Sequence, residues 1–271
     1  MSCYFIIPTF NKESMIGEVI EGIYNCVSKT MDYKIIFIID GCTDNTENIL
    51  KEYIRSEELR DKVVLLYADN VHEIMSLNYG LAYIRDNLNP EPHDLIFTVQ
   101  DDVILQENNI DIIFKNLFEA YPDLGYVSMR IGANIHSSSG TVYESNRIES
   151  EFGHWKNGAF LDYTKVSYNE LYIKEIVIRS PTCMLWKRYQ EVGFYDENLA
   201  PCGYDCHDIS IRLNEAGYKN AVYVMKYSSE IEWGSMRSNP ESKYNTKVGE
   251  IYERNRRYLA TKHKKYFESK R

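Results

Sequence analysis

Lys34-Ile35-Ile36-Phe37-Ile38-Ile39-Asp40-Gly41-Cys42-Thr43-Asp44-Asn45-Thr46 is the stretch on which the fold reading turns. Its apolar part does not alternate with polar residues, as expected of a strand buried on both faces. An acid and a glycine end the run. Asp44-x-x-Glu47 then resembles a capping box ahead of Ile49, Leu50, Tyr53 and Ile54. Strand, polar turn and helix follow within about 20 residues, and the same grammar repeats outward from here. Tyr4–Ile7, Val63–Tyr67 and Leu95–Val99 are further apolar runs. Helical spacing separates them: Ile16, Val19, Ile20 and Ile23; then Leu77, Leu81 and Ile84; then Ile110 to Tyr121. This alternation predicts an α/β fold, a central mainly parallel sheet flanked by helices. Ligands of such sheets sit beyond the carboxyl ends of the strands.

Composition narrows the function classes. The 271 residues are 44 % hydrophobic and 26 % charged, which excludes a disordered chain. Acids outnumber bases 40 to 31, giving −9, so no nucleic-acid partner is expected. Six scattered Cys in a chain able to build its own core read as reduced thiols. Cys202-x3-Cys206-His207 is half a zinc pattern without a second pair. No apolar run approaches a membrane span, and Met1–Pro8 lacks the basic flank of a signal peptide. The expectation is a cytoplasmic protein. Its tail, Lys243–Arg271, is basic, with ten Lys/Arg against three Glu.

Three strand ends carry polar constellations: Pro8-Thr9-Phe10-Asn11 with Glu13, Asp40-Gly41-Cys42-Thr43-Asp44, and Gln100-Asp101-Asp102. An acid at the end of an apolar strand costs desolvation unless something pairs with it. A nucleotide base would do so, and adjacent carboxylates suit Mg²⁺ or Mn²⁺ carrying a diphosphate. The plainer alternatives are that Asp40 and Asp44 cap the next helix and that Asp101-Asp102 opens a turn.

Phe5-Ile6-Ile7-Pro8-Thr9-Phe10-Asn11 followed by Ile38-Ile39-Asp40-Gly41-Cys42-Thr43-Asp44-Asn45-Thr46 resembles the opening of family-2 glycosyltransferases with the GT-A fold, a Rossmann-like sandwich. Asn70, Asn78, Gly80 and Leu81 are similar to that family's next block, and Gln100-Asp101-Asp102 to its Asp-x-Asp motif. Gly193–Glu197, Gly203–Asp208, Arg212-Leu213 and Ala216-Gly217-Tyr218 resemble its acceptor-side block. The resemblance runs from residue 4 to about 220. It implies an inverting, divalent-metal-dependent transferase that moves a sugar from a nucleotide-diphosphate sugar, with uridine diphosphate the favoured carrier, to a hydroxyl of a glycan or lipid-linked acceptor. Pro8, Thr9, Phe10, Asn11, Glu13, Asp40, Asn70, Asn78, Gln100 and Asp101 would then serve the donor, Asp102 the Mn²⁺ or Mg²⁺, and Arg237 the diphosphate.

The chain departs from that pattern at two places. Gln100 replaces the first acid of Asp-x-Asp. Counting back from Arg212, Cys206 takes the position of the catalytic base, and a thiol is a poor one. Asp205 or Asp208 is left as the base, Asp208 serving equally well as the N-cap of a helix predicted over 208–216. If neither serves, the chain is a degenerate sugar-nucleotide- or glycan-binding protein. A sugar-phosphate nucleotidyltransferase is the weaker rival, because the first loop is not Gly- and Arg-rich. Glu230 or Glu232 could replace the family's late metal-binding His, and Trp155 and Trp186 read as core more than as sugar platforms. The expected organisation is a single domain over 1–226, with a nucleotide-binding half 1–102 and an acceptor half 103–226. A basic helical tail, 227–271, closes the domain, docks peripherally on anionic lipid or binds a polyanionic acceptor.

Overall fold

The computed structural model describes residues 1–129, 166–179, 181–229 and 245–269. The first part of the chain builds β1 (Ser2–Thr9), α1 (Ile16–Cys26), β2 (Asp32–Asp40), α2 (Thr46–Ile54), β3 (Val63–Ala68), α3 (Glu73–Tyr83) and β4 (Leu95–Thr98). A short β5 (Ile104–Leu105), α4 (Ile110–Ala120) and β6 (Leu124–Ser128) follow. Then come β7 (Leu171–Lys174), β8 (Thr182–Leu185), α5 (Trp186–Val192), α6 (Asp205–Glu215), β9 (Lys219–Tyr223) and β10 (Tyr227–Ser228). The tail forms α7 (Val248–Lys262) and α8 (Lys264–Ser269).

Among the described residues eight strands make one sheet, in the order β3-β2-β1-β4-β8-β6-β9-β7. β1, β2, β3 and β4 are mutually parallel, whereas β8 runs antiparallel to both β4 and β6. The unalternating apolar runs have the predicted cause. Phe5, Ile7, Ile35, Phe37 and Phe97 point to one face, packed with Ile16, Val19, Ile20 and Ile23 of α1 and Phe114 of α4. Tyr4, Ile6, Ile36, Ile38 and Ile96 point to the other, packed with Ile74, Leu77 and Leu81 of α3 and with Tyr189 and Ile209. Phe5 and Phe97 stack at 4.6 Å between ring centres, tying β1 to β4. The result is three layers, helix on sheet on helix.

Several expectations need correction. The capping box at α2 does not close. Asp44 accepts from Thr46 N at 3.0 Å, but Glu47 turns outward to Lys51 and Tyr67. α6 starts at Asp205, three residues before the expected cap, so Asp208 lies inside its first turn. The proposed 226/227 boundary cuts a connected unit, because Tyr227 and Ser228 pair with Leu105 and Ile104. Trp186 is core, 3 % exposed and packed near Tyr189 and Phe194. None of the six cysteines is in a disulfide. Among the described residues no helix is long and apolar enough to cross a membrane. Arg237, Glu230, Glu232 and Trp155 lie outside the described residues, as does most of the irregular middle region.

Candidate active site

The parallel strands deliver Thr9, Asp40 and the Gln100-Asp101-Asp102 turn to the same end of the sheet. The loop after β1 is stitched to the loop after β2. Asn11, in the left-handed region at φ 49°, accepts from Thr43 N at 2.8 Å and donates to Thr43 Oγ1 at 3.0 Å. Glu13 N donates to Asp44 at 3.0 Å, while Glu13 accepts from Asn45 N at 2.8 Å. Asp40, 4 % exposed, accepts from Val71 N at 2.7 Å and His72 N at 2.6 Å, one on each oxygen. Its carboxylate therefore folds the segment after β3 over the end of β2. Gly41 allows that closeness: at φ +72° its added Cβ would stand 2.9 Å from Asn70 Cβ.

The third strand end is joined to the first. Asp101 accepts from Phe10 N at 2.9 Å, and the buried Lys12 ammonium lies 3.8 Å from it. Burial pushes the Asp101 carboxyl up from its ordinary range; Lys12 and the Phe10 amide oppose this, and the Asp102 charge adds to it. Asp102 is 4 % exposed. Among the described residues no group of three or more acidic, His or Cys side chains is gathered to hold a metal ion. Two adjacent buried carboxylates nevertheless fit an ion of the Mg²⁺ kind, which takes one or two protein carboxylates and draws its other ligands from phosphate and water.

A polar relay runs from this turn to α6. Gln100 Nε2 donates to Glu73 at 3.1 Å. Glu73, in the first turn of α3, is bridged by Arg179 at 2.6 Å. Arg179 also donates to Asp205, at the first position of α6. Asp205 is 3 % exposed and Arg179 8 %. Burial raises the Asp205 carboxyl, Glu73 adds to this, and Arg179 opposes it. Burial pushes the neighbouring Cys206 thiol up to about 12 and the His207 imidazole down to about 4, so at neutral pH the thiol keeps its proton and the imidazole is uncharged.

Asp208 has a different setting. It is fully buried and meets Arg212 Nε at 2.8 Å, Lys262 Nζ at 2.6 Å and His263 Nε2 at 2.7 Å. Although burial raises it, the His263 hydrogen bond and the Arg212 and Lys262 charges hold its carboxyl below the usual range.

Two of the residues expected at the donor site make hydrogen bonds within the fold. Thr9 is completely buried, and its hydroxyl donates to Ile7 O at 3.0 Å. Asn78 is a clasp between α3 and the following layer. Its amide donates to Tyr195 O at 2.9 Å and Glu197 at 3.2 Å, and it accepts from Tyr195 N at 3.1 Å. Lys12, Glu73 and Arg179 were not singled out in the sequence. Arg179 ends the apolar run Ile176-Val177-Ile178, the same signal that flagged the strand-end acids.

Residues 4–179 match the family model of Glycosyl transferase family 2. The chain belongs to that family. Its family-2 region thus takes in all three strand ends and Arg179, while Asp205 lies beyond the matched span. A curated relative, the undecaprenyl-phosphate 4-deoxy-4-formamido-L-arabinose transferase of Proteus mirabilis (strain HI4320), is 25 % identical over 122 residues. That match takes in 44 % of this chain and 35 % of the relative, so the chain spans about a third of its length. Among solved structures, S. aureus TarS 1–349 in complex with UDP-GlcNAc superposes with a TM-score of 0.57 at 15 % identity, covering 88 % of this chain and 61 % of that one. The mannosyltransferase PcManGT from Pyrobaculum calidifontis, in complex with GDP-Man and Mn²⁺, gives 0.53 at 14 % identity, covering 83 % and 54 %. At these identities the likeness is one of fold, and it bears out the α/β GT-A reading.

Proposed function

We propose that this family-2 chain transfers a sugar, with inversion, from a nucleoside-diphosphate sugar to a hydroxyl acceptor. The observation that carries the reading is the relay Gln100–Glu73–Arg179–Asp205, which joins the Asp101-Asp102 turn to a single carboxylate across the sheet end. In this reading residues 1–102 hold the donor. Pro8, Phe10, Asn11, Glu13, Asp40 and Asn70 frame the base and ribose, and Gln100 and Asp101 stand by the diphosphate. Asp102 would hold Mn²⁺ or Mg²⁺ with Asp101 beside it, and the bound cation would offset charge on the diphosphate. Arg237 remains proposed for the diphosphate as well.

The chemistry assigned to the chain's own residues is short. The acceptor hydroxyl oxygen forms a bond to the anomeric carbon on the face opposite the nucleotide. The bond from that carbon to the diphosphate oxygen breaks, and its electron pair leaves with the nucleoside diphosphate. The hydroxyl proton passes to Asp205. A carboxyl raised by burial is better matched to this work than an ordinary one, while Arg179 keeps it oriented. We assign the base to Asp205 rather than Asp208, because the oxygens of Asp208 are engaged by three basic side chains.

Uridine diphosphate is the favoured carrier, supported by the UDP-GlcNAc complex of TarS; the GDP-Man complex of PcManGT keeps guanosine in the test. The Proteus relative, named for an undecaprenyl-phosphate substrate, supports a glycan or lipid-linked acceptor. For the tail we favour closure of the domain over lipid docking, since Lys262, His263 and Arg254 all turn inward. Vesicles containing anionic lipid should therefore retain little of the protein in a flotation assay; strong retention, lost on substituting Lys264 and Lys265, would restore the docking role.

A second reading is a donor-binding protein without turnover, favoured by the Cys206 thiol at the family's base position. Incubation with UDP- and GDP-sugars plus Mn²⁺ distinguishes the two. Release of nucleoside diphosphate, with inverted product configuration by NMR, supports the transferase. Stoichiometric nucleotide binding without any release supports the binding protein.

A further inference from the structure

We infer that Asn255, on the tail helix α7, is the positioning residue for Asp205, an assignment that rests on the proposed role of Asp205 as base. Asn255 is completely buried. Its amide nitrogen donates to three carbonyls of the segment leading into α6: Leu199 O at 2.7 Å, Cys202 O at 2.9 Å and Gly203 O at 3.1 Å. Two N–H groups serving three acceptors means that at least one bond is shared, and the amide is committed to this segment alone. The adjacent Arg254 donates to Ala200 O of the same segment and to Asn255 Oδ1, the latter at 2.9 Å.

The segment needs such holding. Gly203 and Tyr204 are consecutive residues in the left-handed region, at φ 92° and 65°, immediately before Asp205. A tyrosine there is strained and persists only where its surroundings over-determine it. Tyr252, one turn before Asn255 on α7, closes over the turn: a Cβ on Gly203 would come 3.2 Å from its ring. Downstream of Asp205, Lys262 and His263 grip Asp208. From the front, Ile74 N donates to Pro201 O at 3.3 Å. The tail thus brackets Asp205 on both sides, and one buried amide supplies three of its hydrogen bonds to the preceding loop. Removing the amide donors takes one hydrogen bond from each of three carbonyls. The turn then relaxes, and Asp205 drifts from Arg179 while the strand-end donor site is untouched.

The test uses the full chain with Asn255→Ala, with the isosteric Asn255→Asp, which lacks the amide donors, and with Arg257→Ala as control. Arg257 is exposed and, among the described residues, its side chain pairs within α7, to Glu253. UDP, GDP and dTDP with Mn²⁺ are titrated by calorimetry, and kcat is expressed per nucleotide-binding site so that loss of folded protein cannot imitate the effect. Both Asn255 variants should lose at least tenfold in kcat for donor cleavage, with nucleotide Kd and donor KM within twofold of wild type. Arg257→Ala should match wild type. Tyr252→Leu loosens the same turn from outside and should show a weaker loss, about threefold, with the same split; it serves if the Asn255 variants do not fold. Unchanged kcat in these variants overturns the proposal, and so does a parallel loss of nucleotide affinity. A wild type that binds nucleotide but cleaves no donor ends the Asp205 reading instead, and the positioning role with it.

Discussion

The strand-end cleft and the tail seam each hold aspartates, and treat them in opposite ways. In the cleft, burial outweighs the available partners, so Asp101 and Asp205 are pushed upward despite Lys12 and Arg179. At the seam, partners outweigh burial. Asp208 is held down by His263, Arg212 and Lys262, and Asp196 by Lys262, the Asn198 amide and the Tyr258 hydroxyl. The seam aspartates are saturated and stabilise the native state. At the cleft Asp101 and Asp205 keep a burial penalty that their partners do not offset, which suits the proposed binding of a cation, a diphosphate or a proton.

The largest expected effect breaks the cleft side. Asp102→Ala should abolish metal-dependent nucleotide binding and lower turnover by more than about 10³-fold, since the cation's charge on the leaving group carries several kcal/mol; donor-cleavage assays across Mn²⁺ concentrations check it. Next, Asp205→Asn should lower kcat by about 10²–10⁴-fold, the span of general-base catalysis, while nucleotide affinity stays within twofold. A matching loss in Asp208→Asn with Asp205→Asn unaffected would exchange the two regions' roles.

The seam is tested by stability instead of turnover. Asp208→Asn should cost about 3–5 kcal/mol in denaturant unfolding, the penalty for breaking a buried ion pair by removing one partner. A depressed carboxyl releases its stabilisation as pH falls, because the unfolded chain takes up the proton first, near 3.9. Wild-type stability should therefore drop below about pH 4, and the Asp208→Asn curve should be flatter there. The raised Asp205 has the opposite sign. Its folded form protonates first, so its own contribution to stability improves as pH falls from neutral toward about 4. The difference between wild-type and Asp205→Asn melting curves over pH 4–7 reads that sign directly. The smallest effect concerns the cleft's backbone. Gly41→Ala forces a side chain into a left-handed turn already touching Asn70 and should cost about 1–3 kcal/mol in thermal unfolding.

The same contrast explains what could be read in the sequence. The cleft is built by neighbouring loops of a regular α/β repeat. Apolar runs such as Lys34–Ile39 announce its strands, and Asp40 and Asp101-Asp102 stand just past two of them. The four parallel strands and the Asp40 and Asp101-Asp102 turns were legible for that reason. β6 to β9 were not, since runs of four or five residues such as Thr182–Leu185 carry no periodicity of their own. The clasp made by Asn78 was not legible, because an asparagine that bonds backbone and one that binds a ligand look alike in one dimension. The seam was invisible for a stronger reason. Asp208 and His263 are 55 residues apart, and Asn255 stands 52 from Gly203, so nothing local links them. Arg179 lay between these cases, with the right local signal at the end of an apolar run.

The central claim is that the strand ends of β1, β2 and β4 hold a nucleoside-diphosphate sugar. A thermal-shift panel of UDP, GDP, dTDP and their sugars, with and without Mn²⁺, on wild type and Asp102→Ala tests it most directly. A ligand at 100 times its dissociation constant adds about 2.7 kcal/mol, which should raise Tm by several degrees. One nucleotide should give such a rise, dependent on Mn²⁺ and lost in Asp102→Ala. No rise with any nucleotide, or a rise that survives the substitution and needs no metal, would contradict it.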